Sequence, residues 1–499
     1  MPKRGPIVPA APAASQRSKC KAQAKAKGKV KRKRDAEADE PPPWLEVPGP
    51  SSAAAAEDGD AEIGEDADEG EDAMVGGTSR AEIEALLHPQ VLALTLSEWT
   101  AVSGHDILNM PDRSDKSQRL LGWLLAPLTP QRFEDEVRER RPLHISRPKD
   151  RAYYRGWFGS DELRALLRQG ELKYTEELDV TRYSGGRRST LNGEGVAAAD
   201  EVLAKFDEGC SVRLSWPQRH NDKVWGLLAG LEEHFGCGAG CNVYYTPAGS
   251  QGFAPHYDDV DVFILQVEGE KRWTLHAPRS EEELLPRIPS DDFEAAALGE
   301  PLQVLTLVPG DLLYLPRGTV HQAFTPAGGA ASLHLTVSVS RRHTWRDMLE
   351  LGLLGALETA AATNLAFRRT LPREHLGYMG ALHSDSADAR RADFSRMAHA
   401  LLQQVLASLP VDAAADQFAC ANWMHDRLPP CAPPDDEKRI AADGVGLDMR
   451  VRMRSRSVAR LAIEGELAVL YHHGTNTRVY HEVRSRPRAA HPTEPRPSR

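Results

Sequence analysis

One segment decides the fold of this chain: residues 242–273, which read NVYYTPAGSQGFAPHYDDVDVFILQVEGEKRW. At its centre His256 and Asp258 lie two residues apart. Side chains of an extended segment alternate between two faces, so these two point to the same side. One imidazole nitrogen and one carboxylate oxygen can then meet one metal ion, with a third ligand arriving from a distant strand. Because a His-x-Asp pattern arises easily by chance among 18 histidines, the surrounding sequence must support this hypothesis.

The residues after this pair predict a series of short strands. Residues 260–267 (VDVFILQV) form a mostly apolar, β-branched run that is typical of a buried strand. Gly269 then turns the chain, and Lys271 opens another strand. Further on, the turn-forming residues 316–318 (PRG) predict a tight turn that leads to His321.

The last predicted strand of this series covers residues 333–340, LHLTVSVS, and alternates cleanly. Its apolar face carries Leu333, Leu335 and Val337, and its polar face carries His334, Thr336 and Ser338. A polar face can belong to a solvated sheet. Beside a metal centre, the better interpretation is the lining of a polar cavity.

Longer motifs in the chain resemble those of the JmjC oxygenases, in particular the ribosomal oxygenase branch, described as nucleolar lysine demethylases and histidyl hydroxylases. The similarity runs from about residue 118 to residue 483. It is strongest in GCSVRL (209–214), NVYYTP, QGFAPHYDD, LQVEGEKRW, PGDLLYLPRGTVHQA, SLHLTVS, LPRE, YMGALHSDS and RVYH. Motifs of this length in this order are far more specific than a pair of metal ligands.

The resemblance implies a role for nine residues. The expected Fe(II) ligands, which are also the catalytic residues, are His256, Asp258 and His321. Two histidines and one carboxylate leave three positions of the ion open, as in non-haem Fe(II) oxygenases. The residues expected beside 2-oxoglutarate are Lys271, which pairs with its distal carboxylate, Thr336, which assists Lys271, and Asn242. The residues expected to hold the substrate are Tyr244, Ser338 and Arg213.

The resemblance also implies the reaction. It indicates a dioxygenase that uses Fe(II), 2-oxoglutarate and O2 to hydroxylate a histidine side chain of a ribosomal protein. Removal of an Nε-methyl group from histone lysines, with histone H3 as substrate, is the alternative, because both reactions need the same oxidant. Two other classes stay open: a cupin enzyme with another divalent metal, and a catalytically idle nucleolar scaffold. Lys271 has no obvious purpose in the first, and the intact metal triad counts against the second.

The N-terminal region has an uneven charge distribution. Residues 1–40 carry 12 Lys and Arg against 4 Asp and Glu, whereas residues 41–80 carry 1 against 11. The cluster Lys31-Arg32-Lys33-Arg34 suits a nuclear import signal or a weak contact with nucleic acid. The acidic run has too few apolar residues to offset the entropy of ordering. We therefore expect residues 1–115 to be largely disordered. The basic cluster indicates a nuclear protein, and the resemblance implies that it lies in the nucleolus.

The remaining chain predicts three regions. Residues 116–342 are expected to form a mainly β oxygenase domain with a double-stranded β-helix core and accompanying helices. Residues 343–440 have helical periodicity and, by the resemblance, form a homodimer. Residues 441–499 are expected to hold a truncated winged-helix module, with a hairpin turning at Gly474-Thr475-Asn476, and a disordered tail.

Several protein classes are disfavoured by composition. We expect no membrane partner, since no stretch approaches the roughly 20 apolar residues that a membrane helix needs. Six cysteines spread over 499 residues do not indicate a disulfide framework, and no secretory signal is convincing.

Overall fold

A computed structural model describes residues 78–98, 102–110, 115–431, 446, 448, 453, 455 and 457–479. The basic cluster at 31–34, the acidic run and the tail after residue 479 lie outside the described residues, so the expectations about them stay predictions. Within the part of the chain that the structure describes, no helix combines the length and the apolar character needed to cross a membrane.

The described residues form ten α-helices and fourteen β-strands. The helices are α1 (Arg80–Leu87), α2 (Gly104–Asn109), α3 (Lys116–Leu125), α4 (Pro130–Glu136), α5 (Ser160–Gln169), α6 (Ala199–Asp207), α7 (Asp222–Phe235), α8 (Trp345–Thr363), α9 (Ala389–Ala407) and α10 (Val411–Phe418). The strands are β1 (Leu92–Thr95), β2 (Leu143–Ser146), β3 (Leu178–Ser184), β4 (Arg187–Thr190), β5 (Ser211–Ser215), β6 (Gly240–Thr246), β7 (Asp261–Glu268), β8 (Lys271–His276), β9 (Gln303–Leu307), β10 (Leu312–Leu315), β11 (Val320–Phe324), β12 (Ser332–Val339), β13 (Ala459–Glu464) and β14 (Leu467–His472).

Two sheets build the core. A nine-stranded sheet has the order β1-β2-β10-β7-β12-β6-β5-β3-β4, and a three-stranded sheet has the order β11-β8-β9. Residues of both sheets line one cavity. The predicted double-stranded β-helix is confirmed. The nine-stranded sheet also takes in β1, which pairs with β2 and precedes the domain boundary expected at residue 116.

Strand β7 shows why an apolar run was the strongest strand signal. It is hydrogen-bonded between β10 and β12, so both of its edges are paired, and both of its faces are covered by packed side chains. Phe263 and Leu265 belong to the core cluster shared with the outer helices, and Val262 and Ile264 belong to the cluster shared with the second sheet. A strand buried on both faces needs apolar residues at successive positions rather than an alternating pattern.

Two glycine turns place the residues of interest. Gly269 connects β7 to β8 with φ +61°, and a Cβ there would lie 2.2 Å from the carbonyl oxygen of Ala331. Gly318 precedes β11 with φ +88°, and a Cβ there would lie 2.3 Å from the carbonyl oxygen of Glu283. Both positions combine a left-handed backbone with a close contact, which only glycine tolerates. They hold Lys271 and the segment before His321 in place.

The region after β12 is helical, as expected. Helices α8 and α9 contact one another through a small cluster of Ala356, Ala360 and Val405. Many larger apolar side chains of the same helices remain exposed to solvent, among them Leu402 and Leu406. The two helices therefore bury little of their apolar surface within one chain.

A buried charge cluster joins the C-terminal part of the chain to α7. The Glu232 carboxylate is fully buried and accepts hydrogen bonds from the backbone N–H groups of Ala239 (3.1 Å) and Leu428 (3.0 Å). Arg427, also buried, lies 3.8 Å from Glu232 and 2.5 Å from Glu233. Burial raises the pKa of Glu232 to about 8, although Arg427 acts in the opposite direction.

The described C-terminal residues contain the predicted turn at Gly474-Thr475-Asn476, where the N–H of Asn476 donates to the carbonyl of His473 (3.2 Å). Most of the segment expected to pair with β14 after this turn lies outside the described residues, so that pairing stays a prediction. A hairpin that was not predicted pairs β14 with the preceding strand β13. Its turn lies at Gly465, which adopts φ +62°. The short Gly465-Glu466 connection sets the register of this pair.

Candidate metal centre and its cavity

Three side chains meet at the mouth of the cavity. His256 Nε2 lies 3.8 Å from Asp258 Oδ1, and His321 Nε2 lies 3.8 Å from Asp258 Oδ2. One ligand atom of each residue lies within 4.8 Å of those of the other two. The sequence-predicted metal ligands are thus brought together from a loop and from β11, which lie more than 60 residues apart in the chain.

Backbone hydrogen bonds fix this arrangement. The N–H of His321 donates to the carbonyl of His256 (2.8 Å), and the N–H of His256 donates to the carbonyl of His321 (3.2 Å). The N–H of Gly318 donates to the carbonyl of Asp258 (3.1 Å). The three ligand segments are therefore held together by main-chain hydrogen bonds.

The protonation of the two histidine rings also suits metal binding. Nδ1 of His256 lies 2.8 Å from the carbonyl of Ala254, and Nδ1 of His321 lies 3.0 Å from the carbonyl of Thr319. A carbonyl can only accept, so each Nδ1 carries the proton and each Nε2 presents its lone pair to the centre. Burial and the nearby His256 lower the pKa of His321 to about 4, which keeps this ligand neutral.

The cavity beside the ligands has an open volume of about 560 Å³. Its lining is contributed by both sheets and by the loop before His256. The lining residues are Tyr244, Thr246, Gly252, Phe253, Ala254, His256, Asp258, Val262, Ile264, Lys271, Trp273, His321, Gln322, Ala323, His334 and Thr336. Five of the six residues that the sequence predicted for metal or cosubstrate line it, together with Tyr244 from the substrate group.

Lys271 lies at the enclosed end of this cavity and is only 3% exposed. Among the described residues, no carboxylate lies within ion-pair distance of its ammonium group, and burial alone lowers its pKa to about 7. An unpaired buried charge is costly. This end of the cavity is therefore suited to an anionic ligand that supplies the missing charge.

Lys271 forms a hydrogen bond with a residue to which the sequence analysis assigned no role. Nζ of Lys271 donates to Oγ1 of Thr325 (3.2 Å), a fully buried residue directly after β11. The reason is register: Phe324 of β11 pairs with Arg272, which brings the next residue beside Lys271. Thr336 lines the cavity, and its contact with the cosubstrate stays a prediction.

Tyr244 of β6 lines the cavity. Two other predicted residues, Arg213 and Asn242, contact it from outside the cavity lining. Arg213 faces Tyr244 across the strand pair and forms an ion pair with Asp179. Burial raises the pKa of Tyr244. The charge of Arg213 and the hydrogen bonds that the tyrosine forms with Asn242 and Arg213 act in the opposite direction. Within the described chain, Asn242 and Arg213 do not line the cavity, so they orient the tyrosine in this structure and their own ligand contacts stay predictions.

Ser338 occupies the far end of β12. It lies opposite Gly240 in the strand pair and does not belong to the cavity lining formed by the described residues. A Cβ on Gly240 would lie 2.8 Å from Oγ of Ser338, so the glycine leaves room for this hydroxyl. Its contact with a substrate stays a prediction.

His334 also lines the cavity, although the sequence analysis did not assign it to the metal, the cosubstrate or the substrate. It is 4% exposed and stacks on Tyr244 with ring centroids 5.1 Å apart and planes 12° apart. Burial lowers its pKa well below the usual range, and Lys271 adds to this shift. The available signal was its place on the polar face of the LHLTVSVS strand, shared with Thr336.

A double-stranded β-helix with a His-Asp-His triad at one end of its cavity defines the class of JmjC-domain oxygenases. The JmjC domain family matches residues 213–348 of this chain. The bifunctional lysine-specific demethylase and histidyl-hydroxylase NO66 of Dictyostelium discoideum is 41% identical over 390 residues, covering 77% of this chain and 75% of that protein. Ribosomal oxygenase 1 of Homo sapiens is 41% identical over 392 residues, covering 75% of this chain but 60% of that protein.

The chain belongs to the NO66 and ribosomal oxygenase 1 family of JmjC proteins. Its match spans less than two thirds of the length of the human relative. Among solved structures, the crystal structure of the Escherichia coli ribosomal oxygenase YcfD is similar over 70% of this chain and 84% of that chain, with 18% identity and a TM-score of 0.41.

Proposed function

We propose that the protein is an Fe(II)- and 2-oxoglutarate-dependent oxygenase that hydroxylates a histidine side chain of a ribosomal protein. One observation carries the proposal: a buried lysine without a carboxylate partner lies in the same cavity as a neutral-histidine metal triad. A dicarboxylate cosubstrate can span the two, with one end at the metal ligands and the other at Lys271. The names of the relatives support the ribosomal substrate.

Different residues of the site have different roles in the proposed reaction. His256, Asp258 and His321 would hold Fe(II), which when bound supplies the activation of O2 coupled to oxidative decarboxylation of 2-oxoglutarate. Lys271 neutralises the distal carboxylate in a region without bulk water, where its charge acts strongly. The two sheets exclude water from this end of the cavity, which protects a reactive site from side reactions.

Histidine is favoured over methyl-lysine by the aromatic residues of the site. A methylated ammonium group is best held by the open faces of several aromatic rings. Here one face of Tyr244 is covered by His334, and the guanidinium of Arg188 lies 4.5 Å from the centre of the Phe253 ring. A second cation at Phe253 would meet a like charge. An imidazole, in contrast, can accept and donate hydrogen bonds with the Tyr244 hydroxyl.

The experiment is a direct comparison of substrates. The full-length protein is incubated with Fe(II), 2-oxoglutarate and O2, together with a panel of histidine-containing ribosomal peptides and a panel of methylated histone H3 peptides. We expect a mass increase of one oxygen on a histidine of a ribosomal peptide. Loss of methyl groups from histone peptides alone would instead support the demethylase, which one relative's name includes. Absence of succinate with every peptide would support an idle scaffold.

Two conservative variants test the substrate residues. Tyr244→Phe and Ser338→Ala each remove one hydroxyl and are expected to reduce histidyl hydroxylation by about 1–3 kcal/mol in transition-state terms, the cost of an unpaired buried group. Decarboxylation of 2-oxoglutarate without peptide serves as the control and should survive in both. Wild-type hydroxylation by both variants would refute their assignment to the substrate.

The helical region supports a homodimer as a further part of the proposal. Leu402 and Leu406 on α9 are 57% and 60% exposed, and Leu354 and Leu357 on α8 are also exposed. Apolar patches of this kind on a single chain mark interaction surfaces. We expect Leu402→Glu with Leu406→Glu to convert a dimer to a monomer in light scattering after size-exclusion chromatography. Gln403→Glu, an exposed neighbour that gains one of these two negative charges, should leave the dimer intact.

The proposal also places the protein in the nucleus, and there in the nucleolus. Its support is the sequence of residues 31–34 (KRKR) and the weak nucleic-acid contact that such a cluster allows. Fluorescence microscopy of the tagged full chain tests it. Replacing the four residues by alanine should move the protein to the cytoplasm, and an unchanged distribution would refute the role of the cluster.

A further inference from the structure

His334 is placed in the cavity by the regular alternation of its strand, which puts it on the same face as Thr336. The register shift between Leu333 and His334 in the pairing with β7 leaves Val267 of β7 unpaired and does not interrupt β12 itself. The imidazole, although almost fully buried, contributes to the cavity lining, and no described residue forms a hydrogen bond with its Nδ1.

The surroundings put this ring at the lysine end of the cavity. Lys271 and Trp273 lie two residues apart on β8 and both line the cavity, so they project from the same face of that strand. The Trp273 ring meets the His334 ring edge-on, with centroids 5.5 Å apart. On its other side His334 stacks on Tyr244. His334 therefore stands between Lys271 and the residue expected to hold the substrate.

The two nitrogens of the ring have different environments. Nδ1 is sealed from solvent and has no acceptor among the described residues. A proton on Nδ1 would create a buried N–H group without a partner, which is rarer and more costly than an unused acceptor. A neutral imidazole has one proton, so the proton belongs on Nε2. Nε2 is then the donor that the ring can offer to a ligand in the cavity.

We propose that His334 is a cosubstrate-binding residue whose Nε2–H donates to the carboxylate that pairs with Lys271. This inference rests on the proposed function, because it takes the dicarboxylate cosubstrate as the occupant of the cavity. Two donors from two different strands, β8 and β12, fix both the position and the orientation of one carboxylate. Because His334 stacks on Tyr244, the bound carboxylate also influences the position of Tyr244 on the substrate side of the cavity.

Three substitutions separate the hydrogen bond from the shape of the ring. His334→Phe keeps a flat ring against Tyr244 and removes both nitrogens. His334→Gln restores an amide N–H near the position of Nε2, and His334→Asn places one near the position of Nδ1. Each full-length variant is loaded with Mn(II) under anaerobic conditions, where no turnover occurs. Isothermal titration calorimetry then measures the affinity for 2-oxoglutarate and for 2-oxopentanoate, which lacks the distal carboxylate.

The expected result is a selective loss. His334→Phe should weaken 2-oxoglutarate roughly 10- to 100-fold, the range for a hydrogen bond to a charged group, and leave 2-oxopentanoate unchanged. His334→Gln should recover most of the affinity, and His334→Asn should recover little. An equal loss for both oxoacids, or no loss for 2-oxoglutarate, would overturn the role of His334. Failure of the wild-type protein to bind 2-oxoglutarate would overturn the proposed function instead.

Discussion

The two ends of the cavity are built in different ways. At the metal end, the side chains of His256 and Asp258 are 26% and 32% exposed, and their positions are set by backbone hydrogen bonds. At the other end, Lys271 and His334 are almost fully buried and have few partners of their own. The metal end is complete without a ligand, whereas the lysine end lacks the negative charge that its burial demands.

Because of this difference, we expect the metal end to control metal binding and turnover and the lysine end to control cosubstrate affinity. The metal ligands are positioned by main-chain hydrogen bonds and serve the metal alone, so their loss should remove metal and reaction together. The lysine end is destabilised when empty and gains from occupancy, so its residues should govern affinity for the cosubstrate and its dependence on pH. Changes at the two ends should therefore have distinguishable effects, which the following predictions order by size.

The largest effect is expected from Asp258→Ala. The variant loses the carboxylate that lies between the two imidazoles, so metal affinity should fall more than roughly 100-fold and turnover should disappear. Calorimetric titration with Mn(II) and succinate detection by NMR measure the two quantities. Asp259→Ala is the matched control, because this neighbouring carboxylate faces Arg341 rather than the centre. Full succinate production by Asp258→Ala would refute the metal assignment, as it would for His256→Ala.

The second effect is expected from Lys271→Ala. Loss of one partner of a buried charge pair costs about 3–5 kcal/mol, so the KM for 2-oxoglutarate should rise roughly a hundredfold or more. Metal affinity should stay close to the wild-type value, which is what distinguishes this end of the cavity from the other. An unchanged KM would place the distal carboxylate elsewhere.

A smaller effect is expected from pH. Burial lowers the pKa of Lys271 to about 7 in the empty cavity, so the lysine is neutral above pH 7 and charged below it. A bound carboxylate requires the ammonium form, so binding above pH 7 takes up a proton. The affinity for 2-oxoglutarate should therefore fall as pH rises, about fivefold between pH 7 and pH 8, and level off below pH 7. In Lys271→Arg, which stays charged, this slope should vanish from the calorimetric titration.

The smallest effect is expected from Thr325→Val. The variant keeps the shape of the side chain but removes the acceptor of the Lys271 hydrogen bond, which is worth about 1 kcal/mol or roughly fivefold in Kd for 2-oxoglutarate. Thr325→Ser keeps the hydroxyl and should bind like the wild type. If the two variants behave alike, the hydrogen bond does not position Lys271.

The features that could be predicted from the sequence are those that depend on a local pattern of residues. The apolar run of β7, the glycine turns at 269 and 318, and the His-x-Asp pair each carry their signal within a few residues. The long motifs supplied the rest of the metal triad, because His321 is more than 60 residues from Asp258 and no spacing rule connects them. The fold and the metal ligands were therefore predictable.

The details that escaped prediction depend on register between distant strands. Thr325 contacts Lys271 because β11 pairs with β8 in one particular alignment. His334 stacks on Tyr244 because β12 pairs with β6 in the register that puts these two residues opposite one another. The pairing of β14 with β13 was not predicted either. Neither alternation nor composition contains this information, since each describes one strand at a time.

The contact between Arg427 and Glu232 has a consequence for how the molecule melts. Arg427 acts against the effect of burial on the pKa of Glu232, so melting of the C-terminal region would remove the cation next to this carboxyl group. The C-terminal region and α7 therefore stabilise each other, although the candidate metal centre lies in the domain of α7 and the C-terminal region supplies none of its residues. Heating should disrupt both in one cooperative transition, and calorimetry of Arg427→Met should split that single peak into two.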